Sequence, residues 1–220
     1  MCLYKIDNLL IDYIPHEDIQ DMNWYKLKIK HALSKTTGLI WPRPGMPIPA
    51  NMNEVMQLKF ESQPGTSFMY KPDSQIIVYL LEEIYGMDIV ELLKTKIISN
   101  FKSKEFLWNR EDIQGMMVCV GLLDELGQLM LNKGIIYGKR LFKEEYYEQS
   151  ICAYSSGGFP EGNAYGLGWW LKENGYFFAS GFGGQYLAVI PQKKMIISIL
   201  SDMDRPHPEN KSIVEQALQF

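Results

Sequence analysis

A hydroxyl and an amine one helical turn apart can do acyl transfer, because the amine can take the proton that makes serine a poor nucleophile. The sequence has this spacing once, as Ser-x-x-Lys in Ser99-Asn100-Phe101-Lys102. Two fixed positions in four arise readily by chance, so the pattern alone assigns no nucleophile. A second suggestive stretch is Gly181-Phe182-Gly183-Gly184-Gln185. Glycines let another backbone approach closely. The same run also reads as a flexible approach to a strand. Trp41, Trp108, Trp169 and Trp170 can line an apolar cleft or simply fill a core. The other chemistry-bearing residues are scattered. His16, His31 and His207 form no metal-ligand spacing. Cys2, Cys119 and Cys152 fit neither a disulfide framework nor a zinc site, and Cys119 reads as a small residue buried in a helix. Neither metal nor cofactor is expected.

The elements that must position these residues can be read from periodicity. The segment Trp41–Ala50, with Pro42, Pro44, Pro47 and Pro49, is an extended loop. A short helix is expected over 53–60, then a turn at Gln63-Pro64-Gly65-Thr66. From Asp73, Ile77, Leu80, Leu81 and Ile84 share one helical face, and Gly86 ends the run. Asp88 can cap a second helix. A third spans about 118–132 and a short fourth 143–148. Ser155 and Ser156 read as loop residues. Beyond them, 176–179, 186–190 and 195–200 read as an antiparallel meander, turning at Pro191–Lys194. Trp169 and Trp170, adjacent in a strand, should face opposite sides. From Pro208 an amphipathic helix can cover one sheet face. Helices first and strands later argue for an α+β fold. A single domain over 1–220 is expected, with 1–150 mainly helical and 160–220 holding the sheet and final helix.

The 220 residues are 46% hydrophobic and 22% charged, with net charge -4. That composition supports a packed core. With no cluster of Lys and Arg, nucleic-acid binding is not expected. No apolar run approaches the roughly 20 residues that cross a bilayer. The stretch Met1–Lys5 has no apolar signal core, so the chain as written is expected to stay in the cytoplasm.

Several ordered segments resemble the serine β-lactamase-related, penicillin-binding-protein-like hydrolases, which include class C β-lactamases, DD-peptidases, esterases and nylon-oligomer hydrolases. They are Ile29-Lys30-His31-Ala32-Leu33-Ser34-Lys35-Thr36-Thr37-Gly38-Leu39, Pro64-Gly65-Thr66-Ser67-Phe68-Met69-Tyr70, Leu126–Gly134, Tyr165-Gly166-Leu167-Gly168-Trp169-Trp170, and Gly181–Tyr186 followed by Val189-Ile190-Pro191. The resemblance implies a β-lactamase/transpeptidase-like α+β fold and acyl transfer on a small-molecule amide or ester. It places Tyr70 at the position of the catalytic tyrosine. It sets Phe182, Gly183, Gly184 and Gln185 on the strand that binds substrate and the oxyanion, where relatives carry Lys-Thr-Gly or His-x-Gly. It also implies departures. Pro72 stands where the family has an amide two residues after the tyrosine, and Phe182 stands where a basic residue is common. The family's Ser-x-x-Lys precedes the segment like Ile29–Leu39, so Ser99 falls on the wrong side of Tyr70. The nucleophile helix and first strands are therefore expected to be missing from this chain. It would be an inactive or incomplete hydrolase, or a binding module using the degenerate cleft. Pairing into a homodimer, or with a separate N-terminal piece, would follow from a sheet lacking its first strands.

Overall fold

In the computed structural model, the described residues are 5–14, 19–43, 46–108, 116–201 and 208–219. Cys2, His16, Pro44 and His207 lie outside them. In chain order the elements are α1 (Ile29–Leu33), α2 (Met52–Val55), α3 (Ser74–Tyr85), α4 (Ile89–Lys96), β1 (Phe106–Trp108), β2 (Met116–Val118), α5 (Val120–Leu131), β3 (Ile135–Ile136), β4 (Lys139–Arg140), α6 (Glu144–Ser150), β5 (Ser155–Gly158), β6 (Asn163–Tyr165), β7 (Trp170–Leu171), β8 (Phe177–Gly181), β9 (Gln185–Ile190), β10 (Met195–Ile199) and α7 (Pro208–Ala217). The chain divides into two compact units, Met1–Glu91 with Ala153–Gly168, and Leu92–Cys152 with Trp169–Phe220.

The first unit is built around α3. Gly86 closes this helix in the left-handed conformation, with φ 57°. That backbone costs glycine little because it has no Cβ. The buried face of α3, Ile76, Tyr79 and Leu80, packs into a core with Leu10, Trp24, Leu27, Ile29, Leu39 and Val55. The charged residues Lys28 and Lys30 alternate with these apolar ones and pair with Asp7 at 3.4 and 2.7 Å. The helix expected over 53–60 is only the single turn α2. Asn51 caps it by accepting from the Glu54 N–H at 3.0 Å. Beyond Gln57 the chain must extend instead, because Phe60 bridges Leu39 and the Glu61 N–H reaches the Gly38 carbonyl at 2.8 Å. Gly38 has φ 76°, and a Cβ there would lie 2.2 Å from the Ser62 carbonyl oxygen. Only glycine fits. Ser155 and Ser156, expected in a loop, form β5, which pairs antiparallel with β6 across a register irregularity. Glycine-rich composition hid the strand; the ladder to Tyr165 creates it.

In the second unit β7, β8, β9 and β10 make an antiparallel meander. The expected strands and the turn at Pro191–Lys194 are found, with Lys194 left-handed at φ 50°. The α5 helix packs on β9 and β10. Gly127 permits this approach, since a Cβ there would sit 3.0 Å from both Leu187 and Ile196. Adjacent tryptophans do take opposite faces, and both are buried. Trp169 meets Phe177 edge-on, and Trp170 stacks on Phe178. Cys119 is not inside the helix; it is the half-buried residue preceding α5. Asp88 caps α4 as expected, accepting from the Val90 N–H at 2.8 Å. No described helix is long and apolar enough to cross a membrane.

Candidate active site

Tyr70 lies on the loop that connects the Gln63–Thr66 turn to α3. The turn is closed by Thr66, whose hydroxyl donates to the Gln63 carbonyl at 2.7 Å. The Gly65 N–H reaches back to the Thr36 carbonyl at 2.7 Å. The loop is thereby laid along the segment Ser34–Thr37, which is buried throughout. Tyr70 retains solvent exposure, and its ring meets Tyr165 edge-on at 6.1 Å. Phe68 flanks the same tyrosine at 5.4 Å.

Beneath this loop is a polar cluster that sequence reasoning did not find. Asp73, 2% exposed, accepts hydrogen bonds from the Thr37 hydroxyl at 2.9 Å and the Trp41 indole N–H at 2.6 Å. Trp41 is therefore a buried donor rather than a cleft-lining aromatic. Lys35, 8% exposed, faces the same carboxylate. Burial pulls the Lys35 ammonium below its ordinary range while Asp73 opposes the shift. Burial pushes the Asp73 carboxyl up, against the pull of Lys35, Thr37 and Trp41. Loss of water disfavours both charges, and each offsets part of that cost for the other. The nearest sequence signal was a lysine inside a run of small and apolar residues, Leu33-Ser34-Lys35-Thr36-Thr37-Gly38-Leu39. Lys71 turns away from the ring, to Glu61 and to the Leu39 carbonyl at 3.3 Å. Pro72 has no side-chain donor, and the next polar side chain, Asp73, is committed to the buried cluster.

The Tyr70 phenol is raised above its ordinary range by burial, with a further push from Glu161. Tyr165 is raised for the same first reason, and then by Tyr70 and Asp73. At neutral pH both phenols hold their protons.

His31 is neutral and structural. Its Nδ1 accepts from the Lys28 N–H at 3.2 Å, and its Nε2 lies against Gly65. Burial, then Lys30 and Lys28, lower its pKa from 6.5 to about 4, with Asp7 opposing. The unfolded chain therefore binds a proton that the native protein refuses between these values. Stability is expected to fall as pH drops from about 6.5 to about 4, by no more than about 2 kcal/mol after allowing for solvent screening. Denaturation midpoints followed across that range should show the loss in the native sequence and a smaller one in His31→Gln. Equal slopes would remove the assignment.

In the second unit, Phe182, Gly183 and Gly184 form the turn between β8 and β9, across the pair Gly181 and Gln185. Gly183 and Gly184 have φ 78° and 85°. The run is a tight hairpin turn, and Phe182 at its tip is 57% exposed. The Gln185 side chain clamps Ser201, donating to its carbonyl and accepting from its N–H at 3.1 Å.

Ser99 and Lys102 are not a dyad. The Ser99 hydroxyl donates to the Thr95 carbonyl at 2.7 Å, one turn back, and Lys102 stands over the Tyr137 ring at 4.4 Å. Nearby Glu125 accepts from the N–H groups of Lys102 and Ser103, both at 2.7 Å, and from the Tyr137 hydroxyl at 2.6 Å. Burial raises this carboxyl, and the three donors outweigh that and hold it low. It ties the segment after α4 to α5. Among the described residues no cluster of His, Cys, Asp and Glu could hold a metal.

An α+β fold with these segments in this order is that of the β-lactamase and transpeptidase-like proteins. The sequence model of the β-lactamase family matches residues 4–219, and the chain belongs to that family. No curated protein matches it in sequence. Among solved structures, it is similar to a Bacillus anthracis protein assigned as a 6-aminohexanoate-dimer hydrolase, with TM-score 0.76 and 19% identity over 98% of this chain and 65% of that one. A Bacteroides dorei protein assigned as a β-lactamase gives TM-score 0.78 and 16% identity, covering 97% of this chain and 78% of that one. An octameric penicillin-binding protein homologue from Pyrococcus abyssi gives 0.74 and 15%, covering 98% and 60%. The chain thus spans under two thirds of the first and third of these proteins.

Proposed function

We propose that the chain belongs to a serine hydrolase that transfers an acyl group from a small-molecule amide or ester, and that these 220 residues do not acylate on their own. The reading rests above all on the state of Tyr70. Its phenol stands on an ordered loop at the family's tyrosine position, yet it is pushed up rather than down. A phenol that holds its proton cannot deprotonate a serine at neutral pH. It needs a cation beside its oxygen, the part that a Ser-x-x-Lys lysine plays in the family. Ser99 and Lys102 do not supply that pair. In a completed enzyme the serine oxygen would attack the carbonyl carbon, its proton passing through lysine and Tyr70 to the leaving nitrogen or oxygen. Water would then release the acyl group. The Gln185 N–H is proposed as one donor to the oxyanion, with Gly183 and Gly184 leaving room for substrate.

The exposed Phe182 favours a second reading, a binding module for apolar acyl or peptide groups, since an aromatic tip offers contact area and no proton chemistry. The outer edge of β10 is a place where a second copy, or a separate N-terminal piece, could pair.

The 220-residue chain is expected to remain unlabelled by fluorescent penicillin and by a fluorophosphonate probe. Supplying a family Ser-x-x-Lys segment, fused ahead of the chain or added as a separate piece, should bring labelling that Tyr70→Phe reduces about 100-fold or more, the scale of a lost proton-transfer group. Stoichiometric labelling of any serine in the chain alone would overturn the proposal. Labelling of the completed form unaffected by Tyr70→Phe would remove Tyr70 from it.

A further inference from the structure

The geometry points to Lys35 as the positioning residue for Tyr70, a clamp that grips the tyrosine loop with its backbone carbonyl and with its side-chain ammonium. Lys35 is placed at a cost. It is a non-glycine residue in the left-handed conformation, φ 60°, and its ammonium is buried. Residues persist in such settings when their surroundings over-determine them. Here the contacts converge on three consecutive residues. The Lys35 carbonyl accepts from the Met69 N–H at 2.9 Å. Its Nζ donates to the Lys71 carbonyl at 2.9 Å and lies 3.4 Å from the Ser74 hydroxyl at the start of α3. Between those two anchors, the same ammonium faces the Tyr70 ring, 5.4 Å from its centroid. Backbone on one side of Tyr70, backbone on the other, and the ring itself are thus held by one residue.

Asp73 completes the device. It is the buried countercharge to Lys35, and it is itself fixed by Thr37 and Trp41. A countercharge alone would not need the left-handed backbone or the contact with Tyr70. Those two features place the ring, and with it the phenol oxygen. Attraction between the cation and the face of the ring favours one ring orientation over its alternatives. Lys35 touches no reacting atom; it acts through Tyr70.

The inference rests on the reading of Tyr70 as the site phenol, and its test does not depend on acylation. The full chain is prepared with 3-fluorotyrosine at position 70, or at position 79 as a control, and the fluorine NMR spectrum is recorded. Tyr79 is buried in the same unit and donates to the Pro49 carbonyl at 2.6 Å. The native sequence should give one narrow line from position 70. Lys35→Met should split or broaden that line while leaving position 79 unchanged, and Lys35→Arg should restore a single line. An unaltered line from position 70 in Lys35→Met would overturn the inference, and so would an equal disturbance at position 79. If Lys35→Met does not fold, Lys35→Arg decides: one narrow line supports the clamp and several lines refute it. Since the chain needs no nucleophile for this experiment, failure to acylate leaves the clamp standing, and a failed clamp leaves the function open.

Discussion

Asp73→Ala is expected to destabilise the first unit by about 3–5 kcal/mol, the cost of leaving a buried charge without its countercharge. Two donors lose their acceptor and a cation loses its countercharge. The Trp41 indole and the Thr37 hydroxyl are left without the carboxylate they donate to at 2.6 and 2.9 Å, and Lys35 loses its countercharge. Each buried unpaired neutral donor costs about 1–3 kcal/mol, and relaxation offsets part of the sum. Asp73→Asn should cost less, because an amide oxygen still accepts one bond. Adding Lys35→Met to Asp73→Ala should recover part of the loss, since it removes the uncompensated charge. The measurement is amide hydrogen exchange along α3 under native conditions, which reads this unit separately from the other. A loss under about 1 kcal/mol, or no recovery in the double variant, would show that the carboxylate is not what holds the cluster.

That cluster marks the limit of what the sequence made legible. Local signals gave the elements well. Gly86 ends α3, Asp88 caps α4, and the alternating runs of the second unit become β8, β9 and β10. The family segments fixed the fold class, because their order runs the length of the chain. Lys35, Trp41 and Asp73 were not found, because their roles depend on segments that meet only after folding. A lysine at φ 60° has no signature, since that region is one that lysine rarely enters. Trp41 reads equally as core or cleft until a carboxylate appears at its nitrogen. The serines of β5 looked like loop because glycine neighbours mask a strand whose ladder comes from a distant partner. For the glycine run, the approach to a strand was visible, but the hairpin turn of Phe182, Gly183 and Gly184 and the clamp of Gln185 on Ser201 were not.

Phe178→Ala should cost the second unit about 3–5 kcal/mol, as for other large-to-small changes at fully buried aromatics. Phe178 has no exposed surface. It stacks between Trp170, at 6.5 Å and 21°, and Tyr186, at 4.9 Å and 14°. Tyr176 leans on it at 6.1 Å. Its neighbours are themselves large and rigid, so the cavity can collapse only slightly, and the cost should fall toward the top of the range. Phe178→Leu should restore most of the buried area but not the stacking, which is worth about 0.5–1.5 kcal/mol. Exchange protection of the β8 and β9 amides is the direct readout. Protection unchanged in Phe178→Ala would mean that these rings do not hold the sheet.

The first unit is discontinuous in sequence, leaving at Glu91 and resuming at Ala153. In terms of chain entropy, the resumed segment is closed onto the unit across a long loop, whose cost grows only logarithmically, about 0.6 kcal/mol for each doubling of length. Contacts within the unit meet that cost. They include the Gly168 N–H on the Leu33 carbonyl at 3.0 Å, and the ring of Tyr165 against Phe68 and Tyr70. Tyr70 therefore shares its setting with a segment that rejoins its unit across a long stretch of chain. A partial opening that freed residues 153–168 would bare the tyrosine ring while leaving α3 and its buried aspartate in place.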